Sequence, residues 1–275
     1  MEPGIVAAGY GFPEYCIEIF NTKETGVIKK LKGHTKSITA LMYMPAQQTL
    51  VSASCDQYLK GWKLDQEEPI WTIKAHQNFI FGLARLEDDI FATSSHDKFI
   101  KIWKMGKNTP RAVLYGHSDA VWCVVGLQEP EMLASCSADG RIIIWDYESA
   151  EAIRRIKAHK DQVNQIVTHQ ENMLISASDD NTVKLWDWKT GEMIAQLLNI
   201  QNPVWGVLVA HDNETLFCYG EQANVVIYNM RESTVINVLY GFDQSVKTMI
   251  ETLDNFVVSG SYDYKVRYWN CIKME

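Results

Sequence analysis

An aromatic residue returns every 41 or 42 positions along nearly the whole chain, at Phe20, Trp62, Trp103, Trp145, Trp186, Tyr228 and Trp269. A single-core enzyme has no use for that regularity. A series of like supersecondary units does, because each unit buries its apolar faces only against its neighbours. The 275 residues could fill two ordinary domains, yet the unbroken period reads as one domain over 1–275, with unit boundaries near 33, 75, 116, 158, 200 and 241.

One unit spells out the pattern. Gly116-His117-Ser118-Asp119 is turn material, and strands are predicted over 120–125, 132–137, 141–145 and 152–157, with Pro130 in the loop between the first two. Asp139-Gly140 predicts a two-residue hairpin turn between the second and third strands. Four short strands joined by tight turns make an antiparallel sheet that is apolar on both faces. Such a sheet needs other sheets packed on either side.

These residues resemble the WD-repeat family of β-propellers, and the resemblance covers nearly the whole chain. Gly-His or Ala-His opens units at His34, His76, His117 and His159, and Trp-Asp closes them at Trp145-Asp146 and Trp186-Asp187. Elsewhere the closing pair drifts, as in Trp62-Lys63, Trp103-Lys104 and Trp269-Asn270. The resemblance implies an all-β, seven-bladed WD-repeat β-propeller with blades of four antiparallel strands. Only four residues precede the strand that begins at Ile5, and six follow Trp269. The first strand of blade one and the last strand of blade seven are therefore expected to be missing. In the family the N-terminal segment completes the last blade, so one piece lost before Met1 accounts for both gaps. Three outcomes are open: a longer native chain, a partner that donates strands to complete the propeller, or closure with fewer strands.

A formal net charge of −8 weighs against nonspecific nucleic-acid binding and against anionic membranes. A small basic patch at Arg154, Arg155, Lys157 and Lys160 reads as a solvated fourth strand before it reads as an RNA site. No apolar run reaches the roughly 18–20 residues of a membrane span. The start, Met-Glu-Pro-Gly, has neither the basic region nor the apolar stretch of a secretory signal. Cys16, Cys55, Cys123, Cys136, Cys218 and Cys271 are scattered with no CxxC pair, which suits buried thiols in a reducing compartment better than disulfides. The expectation is an intracellular protein, cytoplasmic with the nucleus also open.

His34, Ser52 and Asp56 are the residue types of a nucleophilic triad. The set recurs, however, as His76, Thr93 and Asp97; as His117, Ser135 and Asp139; and as His159, Ser176 and Asp180, each ahead of its own tryptophan, Trp62, Trp103, Trp145 or Trp186. An active site is built once, whereas a fold-stabilising network is built in every repeat. The family resemblance implies the same: turn Asp, inter-blade His, second-strand Ser or Thr and third-strand Trp are hydrogen-bonded together. No catalytic residue, cofactor or metal site is expected, since the histidines belong to different blades. The sixth unit departs, with Ile200, Cys218, Gln222 and Tyr228 in the four places, and is expected to be the most deformable. The seventh keeps Ser259, Asp263 and Trp269 but has Phe242 for the histidine.

The resemblance also implies a binding rim, made of residues three and five places after each His position and of the residue before each turn Asp. Phe79, Phe81, His96, Trp122, Asp179, Trp205, Glu221, Lys247 and Tyr262 stand there, with Asp119 and Asp161 beside them. Aromatic anchors flanked by carboxylates suit a peptide that carries Arg or Lys; the competing reading is that several of these rings are buried packing between blades. The functional expectation is a noncatalytic scaffold, or peptide-binding platform, for other proteins inside a multiprotein complex. The alternative is a substrate receptor of a cullin-type ubiquitin ligase, because Trp186, Asp187 and Lys189 resemble the short box by which some WD-repeat proteins dock on a ligase adaptor.

Overall fold

The computed structural model describes residues 5–21, 26–252 and 256–270. Every regular element in them is a strand. The first sheet holds β1 (Ile5–Gly9), β2 (Cys16–Asn21) and β3 (Val27–Lys32), and the second holds β4 (Ile38–Met44), β5 (Thr49–Ser54), β6 (Tyr58–Trp62) and β7 (Trp71–Lys74). The third contains β8 (Ile80–Arg85), β9 (Ile90–Ser95), β10 (Ile100–Lys104) and β11 (Ala112–Leu114). The fourth contains β12 (Val121–Gly126), β13 (Met132–Ser137), β14 (Arg141–Asp146) and β15 (Glu151–Lys157). The fifth is β16 (Val163–His169), β17 (Met173–Ser178), β18 (Thr182–Asp187) and β19 (Met193–Asn199). In the sixth lie β20 (Val204–Val209), β21 (Thr215–Gly220), β22 (Val225–Asn229) and β23 (Thr234–Leu239), and in the last β24 (Val246–Glu251), β25 (Phe256–Ser261) and β26 (Val266–Asn270).

These are the blades of a seven-bladed β-propeller, the all-β class that the repeat predicts. The first and last sheets have three strands each among the described residues, the two blades that the sequence left a strand short. Residues 1–4 and 271–275 lie outside the described residues. The chain divides into two compact units: Met1–Ser137 with Ile143–Arg154, and Ala138–Ile142 with Arg155–Glu275.

The second strand of each complete sheet explains why no alternating pattern was needed. β5 (Thr-Leu-Val-Ser-Ala-Ser) and β9 (Ile-Phe-Ala-Thr-Ser-Ser) are buried along their whole length. Both faces are covered, so both must be apolar or hydrogen-bonded, and small Ser and Ala residues let the next sheet approach. The fourth strand is the wet edge. β15 alternates exposed and covered residues along most of its length.

The aromatic marks show what sets the period. In the first unit Trp62 packs with Ile17, Ile19 and Leu31 of the preceding sheet. Trp103 likewise joins Val51, Ala53 and Leu59, and Trp145 joins Ile90, Ile100 and Leu114. In the second unit Tyr228 packs with Ile175 and Val183, again one sheet back. In these four layers one large ring fills the space between neighbouring sheets, so the spacing of the rings follows the length of one blade.

Of the strands predicted in 116–157, β13 has the predicted bounds, and β12, β14 and β15 differ by one residue at one or both ends. The Asp139-Gly140 turn needs correction. Three residues, 138–140, separate β13 from β14, and Gly140 sits at φ +74°. In the second, third, fifth and seventh sheets the residue after the turn Asp is also left-handed: Gln57, Lys98, Asn181 and Tyr264 have φ of 78°, 76°, 69° and 62°. The Asp supplies the reason. Asp56 Oδ1 accepts the Tyr58 N–H at 3.0 Å, which closes an Asx turn and forces the intervening residue over. The two-residue reading counted the Gly and overlooked that side-chain bond.

Candidate functional site

The residues singled out by repetition stand in closed hydrogen-bonded chains. In the fifth sheet, Trp186 Nε1–H donates to Ser176 Oγ at 2.8 Å, the Ser hydroxyl donates to His159 Nε2 at 2.7 Å, and His159 Nδ1–H donates to Asp180 at 2.9 Å. The second sheet repeats this with Trp62, Ser52, His34 and Asp56, and the third with Trp103, Thr93, His76 and Asp97. In the fourth sheet Trp145 Nε1–H donates to Ser135 Oγ, which bonds His117 Nε2; each bond is 2.8 Å. The four imidazoles are buried. A neutral ring satisfies every link, with Nδ1 the donor and Nε2 the acceptor. Burial pushes His159 down to about 4 against the pull of Asp180, and pushes His76 down as well. Burial would raise the aspartates. Hydrogen bonds overcome it, from His76 at Asp97 and from Thr182 at Asp180, and both carboxyls sit at about 2. These groups are tied to one another within each sheet.

Two sheets depart from the chain. In the sixth, Cys218 and Tyr228 belong to an apolar cluster with Val207 and Leu216. Burial pushes the Cys218 thiol well above its ordinary range. In the seventh, Trp269 still donates to Ser259 at 2.8 Å, but Asp263 is gripped by Arg267. Arg267 belongs to no repeating set and so is not marked by the period. Its signal is positional: it lies four residues after the turn Asp, where Lys60, Lys101 and Lys184 stand in other sheets.

A β-bulge positions the rim. The register of the first strand against the second slips by one residue between Ile38 and Ala40, Ile80 and Gly82, Val121 and Cys123, Val163 and Gln165, Val204 and Gly206, and Val246 and Thr248. The residues expelled from the ladder are Thr39, Phe81, Trp122, Asn164, Trp205 and Lys247. Each is the one five places after its His position. A bulge re-aims a side chain away from the sheet's own alternation, and unlike the network these six positions carry five different residue types.

In the first unit the bulge rings gather. Phe81 and Trp122 lie 4.4 Å apart between centroids. Phe79, which is exposed, stands edge-on to Phe81 at 6.4 Å, and His96 lies 6.2 Å from each. Asn78 Nδ2 donates to His96 Nδ1 at 3.1 Å and orients that ring. Trp122 is half-buried, and its indole N–H is buried without a hydrogen-bond partner. Lys36, which the sequence did not mark, places its Nζ 5.3 Å from the Phe79 centroid. Asp119 is exposed, and its Oδ1 accepts the Ala120 N–H at 2.8 Å.

The second unit has its own group. Trp205 and Tyr262 are 6.0 Å apart and nearly perpendicular, with Lys247 Nζ 5.8 Å from the Trp205 ring. Asp179 is committed on both oxygens: Gln162 Nε2 donates to one, and Asn164 Nδ2 to the other at 2.6 Å. Asn164 also donates to the Val204 carbonyl at 2.9 Å. Glu221 is exposed, and its carbonyl accepts the Ser245 hydroxyl at 2.8 Å. Of the adaptor-box residues, Trp186 is tied to Ser176, and Asp187 Oδ1 caps the Thr190 N–H at 2.9 Å. Lys189 is exposed, over the Trp188 ring at 5.5 Å.

Among the described residues, no three His, Cys, Asp or Glu side chains converge as metal ligands, and no helix is long and apolar enough to cross a membrane. Antiparallel sheets knit by a repeated Trp–Ser–His–Asp chain define a WD-repeat protein. The family model for the WD domain, G-beta repeat, matches at residues 26–63, 67–104, 108–146 and 150–187, more than half of the sequence, and the chain belongs to that family. Among similar proteins, Pre-mRNA-processing factor 19 of Bos taurus is 28% identical over 68 residues, 25% of this chain and 14% of that protein. Protein TOPLESS-RELATED PROTEIN 2 of Oryza sativa subsp. japonica is 38% identical over 55 residues, 20% and 5% of the two chains. Apoptotic protease-activating factor 1 of Rattus norvegicus is 23% identical over 163 residues, 59% and 13%. The chain thus matches only a small part of the length of each relative.

Proposed function

We propose that this chain is a noncatalytic scaffold that holds peptide segments of partner proteins on the His–Asp ends of its strands. One observation carries the reading. At those ends the repeating polar groups are hydrogen-bonded within the sheets, whereas three of the six bulge residues, Phe81, Trp122 and Trp205, are aromatic and stand beside the exposed rings of Phe79, His96 and Tyr262. Exposed aromatic clusters of this kind are what protein interfaces use as anchors. In the first unit the anchor is Phe79 with Phe81, His96 and Trp122; in the second it is Trp205 with Tyr262. A partner segment with a basic residue suits both groups, because ring faces attract cations.

The test is affinity purification of the full chain with mass spectrometry, beside a Phe79→Ser/His96→Ser variant whose thermal melt matches the wild type. Partners captured by the wild type and lost by the variant support the proposal. An identical set of partners on both overturns this choice of surface. A role as substrate receptor of a cullin-type ligase would appear as a co-purifying adaptor that Lys189→Glu removes.

A further inference from the structure

The first-unit group has a geometry more specific than an apolar anchor. The centroids of Phe79, Phe81 and His96 form a near-equilateral triangle, with sides of 6.4, 6.2 and 6.2 Å. Their planes are inclined at 88°, 65° and 51° rather than stacked. A point over such a triangle can lie within about 6 Å of all three centroids at once, the range over which a ring attracts a cation. Two of the three rings, Phe79 and His96, are exposed. Trp122 backs the group from behind through Phe81.

The protein already places a cation against one ring of the three. Lys36 comes from the turn ahead of β4, one sheet before the rings, and its ammonium lies 5.3 Å from the Phe79 centroid. Among the described residues that ammonium has no carboxylate partner, so the ring is what holds it. Lys98 is a neighbouring lysine with a different fate, since its Nζ donates to the Ser118 carbonyl at 2.8 Å. An exposed ring that already lies beside a lysine ammonium can also take a better-positioned cation.

We propose that the Phe79–Phe81–His96 triangle is a seat for one cationic side chain, a lysine or arginine of the partner segment, and that Lys36 occupies it until the partner arrives. The proposal rests on the scaffold reading above and adds the chemistry recognised and its built-in competitor. Displacing Lys36 forfeits one exposed cation–π contact, which lowers the partner's affinity by about two- to five-fold. The resident lysine therefore sets a threshold that weakly cationic segments fail to pass.

The experiment is an aromatic-proton NMR titration of the full chain with three capped peptides, Gly-Lys-Gly, Gly-Arg-Gly and the uncharged Gly-norleucine-Gly. The Lys and Arg peptides are expected to shift the Phe79, Phe81 and His96 signals saturably, and the norleucine peptide is not. Lys36→Gln should tighten that binding by about two- to five-fold, whereas Lys98→Gln, which removes the same charge from a lysine off the ring, should leave it unchanged. Phe79→Leu should abolish it, with unshifted melting curves confirming that each variant is folded. Equal shifts from norleucine would mean an apolar patch and overturn the proposal. So would an unchanged or weaker affinity in Lys36→Gln, or a matching gain in Lys98→Gln. If the peptides behave as expected while Phe79→Ser/His96→Ser still captures every partner, the choice of this surface for the partners fails and the seat stands. The reverse result removes the seat alone.

Discussion

Arg267 grips Asp263 in a two-pronged contact, Nη1 to Oδ1 at 3.1 Å and Nη2 to Oδ2 at 2.6 Å. In three other sheets the turn aspartate is held by a histidine from the preceding loop. Here that place is Phe242, and the Arg267 guanidinium lies 4.9 Å over its ring. A cation supplied four residues later does the work of the missing imidazole, and the hydrogen bond from Arg267 holds the Asp263 carboxyl well below its usual range.

Arg267→Ala should therefore destabilise the protein by about 1–3 kcal/mol, because it removes a charged, forked pair from a largely covered site. Arg267→Lys should recover only part of the loss, since an ammonium cannot match both oxygens. Urea denaturation of the three proteins checks this, and equal midpoints for wild type and Arg267→Ala would contradict it.

The serines at the centre of the networks should differ in importance. Ser176 serves both His159 and Trp186, and its loss leaves two buried groups unpaired, at a cost of about 2–4 kcal/mol. Ser259 serves Trp269 alone, in a sheet with no histidine, and Ser259→Ala should cost about 1 kcal/mol. Melting curves that reversed this order would sink the account of the network.

Acid should unfold the protein in two stages. His159, at about 4 in the folded state, lies below the unfolded value of about 6.5, so between those limits the unfolded chain binds more protons and stability falls as pH drops. The depressed His76 acts in the same direction. Asp97 and Asp180, at about 2, contribute stability that is present above about 4 and is lost as pH falls towards 2. Tm measured from pH 7 to 3 should decline below about 6.5 and more steeply below about 4. A flat profile between 4 and 6.5 would show that the imidazoles are not buried as described.

The sixth sheet should open first. Its second strand, β21, lacks the Ser–His link that pins β17, and Cys218 is held by apolar packing alone among the positions of the network. Amide hydrogen exchange along β21 is expected to outpace exchange along β17. Alkylation of the buried Cys218 should then report the same opening. Finding β21 the best-protected strand would contradict this.

Much of this was legible because the relevant forces are local and repeated. Trp62, Trp103 and Trp145 each fill an inter-sheet layer, so blade length appears directly as the distance between tryptophans. The Asp139-Gly140 turn, by contrast, reads as a two-residue hairpin in the sequence, because the Asx bond from Asp139 to the Arg141 N–H is a side-chain contact. Arg267 and Gln165 were passed over. Gln165 Oε1 accepts the Val207 N–H at 2.8 Å, 42 residues away, and no spacing rule announces a bond made once.

Sequence alone determined the blade count, the all-β class and the separation of repeating residues from singular ones. Those follow from a period that each inter-sheet layer enforces. Tertiary structure decided where the singular residues point. The bulges at Phe81 and Trp122 depend on how one strand slips against the next, and the seating of Lys36 on Phe79 depends on a ring from the following sheet. The physical reason is range: a layer's volume is specified within each unit of the repeat, whereas a bulge register and a cation over a ring are specified only when neighbouring sheets meet.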